Sequence, residues 1–332
     1  MNNEKRKILF IGPAFFGYDE IIKNDLVLTG AIVDYLPDRP FNSPLMKALI
    51  RYQRYLVLPI MDQIIIENIK KFRRAEYDFI FVIQGEGLSV NTLSIIKGLY
   101  PRAKMIWYLW DSLKNKKNLI PNLEYYDKCY TFDNSDALQY GLNFRPLFYS
   151  PNFKKKISPI IDFHLSFVGT AHSDRYEIIS NIQNSISKEI VFYKYLYLQA
   201  PWLYRVYKTF NTNFSNAKIS DFNFRPMPSD KVADIFSRSS SILDLQHPNQ
   251  KGLTMRTFEA LGASKKIVTT NKAIYETDFY DPENVLVLER LESINISKEF
   301  LLTPFKCLTD ETIYRYSLRG WLFDILPELY TS

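Results

Sequence analysis

The sequence predicts an α/β protein made of two consecutive Rossmann-like halves, each a parallel sheet covered by helices, with a ligand cleft between them. Three observations carry that prediction. β-type runs and helical stretches alternate through the first half, a basic Pro-bounded segment interrupts them once, and the alternation then restarts. A chain of 332 residues, 46% of them hydrophobic, suffices for two domains that each bury a core.

In the first half the strands are expected over 7–11, 31–36, 79–83, 104–109 and 128–132. Their β-branched and aromatic residues show little polar alternation, as suits strands buried on both faces. The segment SPNFKKKISPI (150–160) is basic and aperiodic and reads as the linker. Beyond it come a strand over 163–168, a helix over 174–187, a strand over 189–193 and an aromatic stretch over 195–210. A helix over 229–237, a strand over 241–245, a helix over 254–261 and a strand over 266–270 complete the second half. The expected domains are 1–152, 153–308 and a helical tail, 309–332, that packs back on the first half.

The net charge of +6 suits phosphate-bearing substrates or an anionic membrane face. The basic residues come in short scattered groups without a zinc-knuckle, helix-turn-helix or RRM signature, so nucleic acid is not an expected partner. Cys129 and Cys307 form neither a metal pattern nor a disulfide framework, and a reduced, cytoplasmic setting is expected. No apolar stretch reaches the length of a membrane span. Residues 55–69, followed by Lys70, Lys71, Arg73 and Arg74, read as an amphipathic helix with a basic end. Such a helix either faces a core or rests peripherally on a membrane surface.

The opening strand, KILFIGPAFFGYDE, lacks the GxGxxG spacing of a dinucleotide fingerprint, which argues against a nicotinamide dehydrogenase. The informative segment is SILDLQHPNQKGLTMRTFEALGASKKIVTTN (241–271), in the form strand, loop, helix, strand. A parallel βαβ unit sends that loop to the carboxyl edge of the sheet, where the unpaired N–H groups of the next helix favour a diphosphate. Gly252 permits close backbone approach. Thr254 caps the helix or donates to phosphate, and Arg256 supplies a forked charge. Met255, Phe258 and Leu261 share a buried face, and Gly262 is placed to end the helix. Glu259 has two readings: it accepts the ribose hydroxyls, or it forms an i,i+3 pair with Arg256 worth about 0.2–0.5 kcal/mol on a helix surface.

GLTMRTFEALGASKKIVTTN resembles the donor-binding motif of GT-B glycosyltransferases, most closely the CgeB-type enzymes and related capsule and lipopolysaccharide transferases. That resemblance implies a nucleotide-sugar donor as substrate rather than a cofactor, a saccharide or lipid-linked saccharide acceptor, and no bound metal. Many retaining members carry a second glutamate eight positions before the first; Lys251 stands there, so the stereochemical course stays open. FHLSFVGTAHSDR is similar to the first strand and loop of the donor domain, which places Gly169 and Thr170 toward the diphosphate and lets Arg175 neutralise it; the alternative for Arg175 is a helix-surface residue. NFRPMPSDKV is similar to the segment before the base-binding loop, making Met227 and Pro228 candidates to border the base; the alternative is that Pro226 and Pro228 shape a turn before a helix capped by Ser229. His172 and His247 lie on the two candidate phosphate loops, whereas His164 reads as a core residue.

An inverting transfer needs a general base from the first half. Glu86, in VIQGEGLS, and Asp111, in IWYLWDS, rank first, followed by Asp133 and Asp136. Each has the alternative of capping the next helix. Trp110 is a candidate to stack on a sugar ring. The function expected is glycosyl transfer in assembly of a bacterial surface polysaccharide. The alternatives are a non-catalytic nucleotide- or carbohydrate-binding module and a sugar-nucleotide epimerase.

Overall fold

A computed structural model of the chain describes residues 5–14, 17–39, 54–72, 74, 76–154, 160–248, 250–290 and 295–330. Arg73 and residues 155–159 of the basic segment lie outside them. The chain divides into two compact units: unit 1 comprises Met1–Pro146 with Leu318–Ser332, and unit 2 comprises Leu147–Ser317.

Unit 1 contains β1 (Lys7–Gly12), α1 (Tyr18–Leu28), β2 (Ile32–Pro37), α2 (Arg54–Lys71), β3 (Phe79–Ile83), α3 (Val90–Leu99), β4 (Lys104–Leu109), β5 (Lys128–Thr131), α4 (Asn134–Tyr140) and β6 (Asn143–Phe144). All pairings are parallel, in the order β2-β1-β3-β4-β5-β6. β3, FIFVI, is buried throughout, because its two faces are both covered. α2 turns Val57, Met61, Ile65 and Ile69 into the core, so this amphipathic helix is core-facing. α3 starts where the Ser89 hydroxyl accepts Thr92 N at 3.0 Å. α4 stops at Gly141, whose φ of 66° is the left-handed conformation glycine tolerates.

Unit 2 contains β7 (Phe163–Thr170), α5 (Arg175–Ser185), β8 (Phe192–Tyr197), α6 (Pro201–Phe210), β9 (Phe222–Asn223), α7 (Ser229–Ser237), β10 (Ser239–Asp244), α8 (Met255–Gly262), β11 (Lys266–Thr269), β12 (Val285–Val287), α9 (Lys298–Leu302) and α10 (Asp310–Arg315). This sheet is also parallel, ordered β12-β11-β10-β7-β8-β9. β8 begins later than the expected 189–193 and runs to Tyr197, because β7 continues to Thr170 and pairs with it there. The aromatic stretch is thereby split, and Pro201 at the first helical turn starts α6.

The tail contributes to both units. α10 closes unit 2, where Tyr316 stacks 5.3 Å from Phe258. α11 (Leu318–Ile325) belongs to unit 1, and Trp321 meets Tyr108 edge-on with ring centroids 4.7 Å apart.

Candidate functional site

In unit 2, β7 and β10 are neighbours, yet the chain leaves them in opposite directions across the sheet: β8 and β9 follow on one side, β11 and β12 on the other. At such a switch point the loops beyond the strand ends diverge and leave a crevice, the usual ligand position in an open parallel sheet. Gly169 and Thr170 end β7 there. A Cβ on Gly169 would stand 2.9 Å from the Phe167 ring, so a larger residue here would have to displace that buried side chain.

Arg175, the first residue of α5, spans the switch point. Its Nη1 donates to the Thr170 carbonyl at 3.0 Å and its Nε to the Leu245 carbonyl at 2.8 Å, with Nη2 directed at the same oxygen. Three of its roughly five N–H donors are thus committed to carbonyls, not to a carboxylate. Burial, offset by Asp244 and reinforced by Arg256 and Arg290, lowers its pKa to about 10, which leaves it cationic at neutral pH. Arg175 is therefore no simple helix-surface residue.

The loop after β10 carries His247 and Gly252. The His172 and His247 rings are 5.5 Å apart, and His172 Nδ1 is 2.9 Å from the Ser173 hydroxyl. Burial, then the neighbouring Arg175 and His247, depress the His172 pKa to about 4, so its ring is neutral at pH 7. Gly252 is buried, and its carbonyl accepts Asn271 Nδ2 at 3.0 Å. His164, on β7, accepts Val191 N through Nδ1 at 2.9 Å.

α8 begins as the sequence implies, with one correction. The Thr254 hydroxyl caps the helix by accepting Arg256 N at 3.1 Å, and its hydrogen goes to Asp244 Oδ1 at 2.9 Å instead of outward to a phosphate. Asp244, at the end of β10, also accepts the Thr257 hydroxyl. Burial raises its pKa, and the two threonine hydrogen bonds oppose that. Glu259 is 5% exposed and pairs with Arg256 at 2.6 Å, while the Arg256 guanidinium lies 4.9 Å from the Phe236 ring centre. The i,i+3 pair is formed, but in a shielded setting where the surface figure does not apply. Gly262 does not end the helix by a left-handed turn. Ala263 follows in right-handed geometry, and Ser264 takes the positive φ of 54°. Gly262 is small because a Cβ would lie 2.4 Å from Cγ of Tyr149.

In unit 2 two residues escaped the sequence reading. Asp244 was visible only as a polar end to an apolar strand. Arg290, three residues beyond β12, belongs to no motif; its Nη1 pairs with Asp174 at 2.6 Å and its Nη2 reaches the Gln246 carbonyl at 2.7 Å. Asp174 pairs with Arg290 and Glu259 with Arg256, whereas Asp244, hydrogen-bonded to Thr254 and Thr257, acts on Arg175 only through space. Met227 is half-buried between β9 and α7, two strands away from β7 on the same carboxyl edge.

Unit 1 has its own switch point between β1 and β3. The loop after β3 is tightly built: Gln84 and Gly85 have φ of 59° and 71°. A non-glycine residue held at positive φ costs of order 1 kcal/mol and persists where its surroundings impose it. Here Gln84 Oε1 accepts Asp111 N at 3.1 Å and Trp110 N at 3.3 Å, while its Nε2 is buried without a hydrogen-bond partner. A Cβ on Gly87 would stand 1.8 Å from the Asp38 carbonyl oxygen. Glu86 is less open than its flanking glycines suggest: its side chain is 19% exposed, with Lys116 Nζ at 2.5 Å and Arg39 Nη1 at 3.4 Å. Asp111 accepts Ser112 N at 2.9 Å, and its other oxygen lies 3.8 Å from Lys116. Lys116 therefore brings the two carboxylates together. Trp110 is half-buried beside them. Asp133 caps α4 through Ser135 N, and Asp136 accepts Leu113 N, which gives both a structural task. Asp38, unremarked in the sequence, accepts Glu86 N at 3.0 Å, and burial raises its pKa to about 6.

Two such parallel units in one chain make a GT-B-like fold, and solved structures share it. The chain is similar to a glycosyltransferase from Rickettsia africae ESF-5, at 14% identity over 98% of each chain and a TM-score of 0.62. It is also similar to the Anabaena protein HepE, solved in complex with UDP and glucose, at 13% identity over 98% of this chain and 99% of that one, with a TM-score of 0.56. Against HepE with UDP-glucose the TM-score is 0.54. No protein-family model and no curated protein matches the chain.

Proposed function

We propose that this chain is a glycosyltransferase that binds a nucleoside-diphosphate sugar at the carboxyl edge of the unit 2 sheet. It passes the sugar to a saccharide or lipid-linked saccharide acceptor held by unit 1, in assembly of a bacterial surface polysaccharide. The observation that carries the reading is Arg175, a cation fixed between the ends of β7 and β10 by hydrogen bonds to carbonyls and not to a carboxylate. Its uncommitted N–H donors, with the N-terminal end of α8, suit the charge that develops on a departing diphosphate. Glu259, one turn into α8, suits the ribose hydroxyls. The likeness to a fold solved with UDP and UDP-glucose supports a uridine donor. In unit 1, Glu86 and Asp111, linked through Lys116, are the proposed base for the acceptor hydroxyl, with Asp38 supporting the Glu86 backbone.

Incubating the purified protein with UDP-sugars, with and without saccharide acceptors, tests the reading. Acceptor-dependent release of UDP, undiminished by chelation of divalent cations and lost in Glu86→Gln or Asp111→Asn, is the expected result. Binding without turnover would leave a silent module. Conversion of the donor without acceptor would make the protein an epimerase, and failure of any nucleotide to raise the melting temperature would overturn the reading altogether.

A further inference from the structure

α6 has two unlike faces. Leu203, Tyr204 and Tyr207 are half-buried; the Tyr204 ring lies 5.7 Å from Phe222 and that of Tyr207 5.0 Å from Phe214. Tyr204 Oη donates to the Ala217 carbonyl at 3.0 Å, and Lys208 Nζ to the same oxygen at 2.9 Å, which ties the helix to the following loop. On the other face Trp202, Val206 and Phe210, four residues apart, form a stripe that is 62%, 39% and 84% exposed. Soluble surfaces rarely align large apolar side chains this way without a partner. Charge indicates which partner. The helix itself, Pro201–Phe210, carries Arg205 and Lys208 and neither Asp nor Glu.

We propose that this face of α6 docks on an anionic lipid surface, with Trp202, Val206 and Phe210 entering the headgroup region and Arg205 meeting lipid phosphate. A helix with aromatic residues on one face and basic residues beside them has the chemistry of an interfacial helix lying in the membrane plane. A second copy of the chain is a poorer occupant. At about 150–250 Å² per aromatic, two aromatics and a valine offer on the order of 400 Å², half of what each partner of a stable pair usually buries, and the flanking charges would repel. No helix among the described residues is long and apolar enough to cross a membrane. The proposal is independent of glycosyl transfer. Should that function hold, α6 follows β8 at the same carboxyl edge as the loops of Arg175 and His247.

The test is sedimentation of the full chain with vesicles of phosphatidylglycerol and phosphatidylcholine, compared with phosphatidylcholine alone. Preferential binding to the anionic vesicles, weakened by high salt, is expected. The Trp202→Ser/Phe210→Ser double variant should bind at least about tenfold more weakly. Arg205→Glu should lose affinity for the anionic vesicles only. Because these side chains are exposed, melting temperatures should stay close to the parent value. Lipids brominated near the headgroup should quench fluorescence in the parent and not in Trp202→Phe. Undiminished vesicle binding by the double variant, or absence of quenching, overturns the proposal. A concentration-dependent dimer that the double variant abolishes, without vesicle binding, assigns the stripe to self-association and overturns it equally.

Discussion

Replacement of Glu259 separates its two readings, since each predicts a different observable. The carboxylate is 5% exposed and holds Arg256 at 2.6 Å, and the Arg256 side chain retains 23% of its exposure. Glu259→Gln keeps the shape and removes the charge. Breaking a fully buried ion pair costs about 3–5 kcal/mol, and the partial hydration of Arg256, with its contact to Phe236, lowers the expected loss to roughly 1–3 kcal/mol. If the pair is the whole role, that stability loss is the only effect, and a nucleotide binds as before. If the carboxylate also accepts a ribose hydroxyl, a charged hydrogen bond of about 2 kcal/mol disappears from the complex, a loss of roughly 30-fold in affinity. Urea unfolding measures the first quantity and calorimetric titration with UDP the second. A UDP dissociation constant within twofold of the parent value, alongside the loss of stability, refutes the ribose assignment.

Asp38→Asn probes unit 1. The Asp38 pKa is raised to about 6 from 3.8, so the folded state holds this proton more tightly than the unfolded chain. The stabilisation this brings is complete below about 4 and is lost as pH rises through about 6, so the Asn variant should gain on the parent by roughly 3 kcal/mol across that window in urea unfolding. A flat difference would show that the carboxyl is not buried as described. Gly262→Ala drives a methyl group to 2.4 Å from the Tyr149 ring and should cost about 1–3 kcal/mol. Gly98→Ala, in α3 with nothing within 4 Å, should stabilise by about 0.5–1 kcal/mol, and equal effects would refute the packing account. A diphosphate beside His172 should raise its pKa from about 4. Nucleotide binding near pH 5 should then take up protons, as read by calorimetry in buffers of different ionisation enthalpy, and His172→Gln should abolish the uptake.

The elements themselves were readable from the chain. β3 and β4 stand at 79–83 and 104–109 as the apolar runs imply, and α7 spans Ser229–Ser237, because local periodicity and capping dictate where strands and helices form. The switch-point loop after β10 and the cap at Thr254 were equally visible. What local pattern did not contain was the partner of each polar group. The Thr254 hydrogen goes to Asp244, Glu86 is closed in by Arg39 and Lys116, and Gly262 is small for the sake of Tyr149. Arg175 acquires its bridging position only because the sheet order sets β10, more than sixty residues further on, beside β7. Spacing along the chain specifies which side chains share a face, while their hydrogen-bond partners, burial and charge depend on contacts between segments that no single stretch of sequence describes.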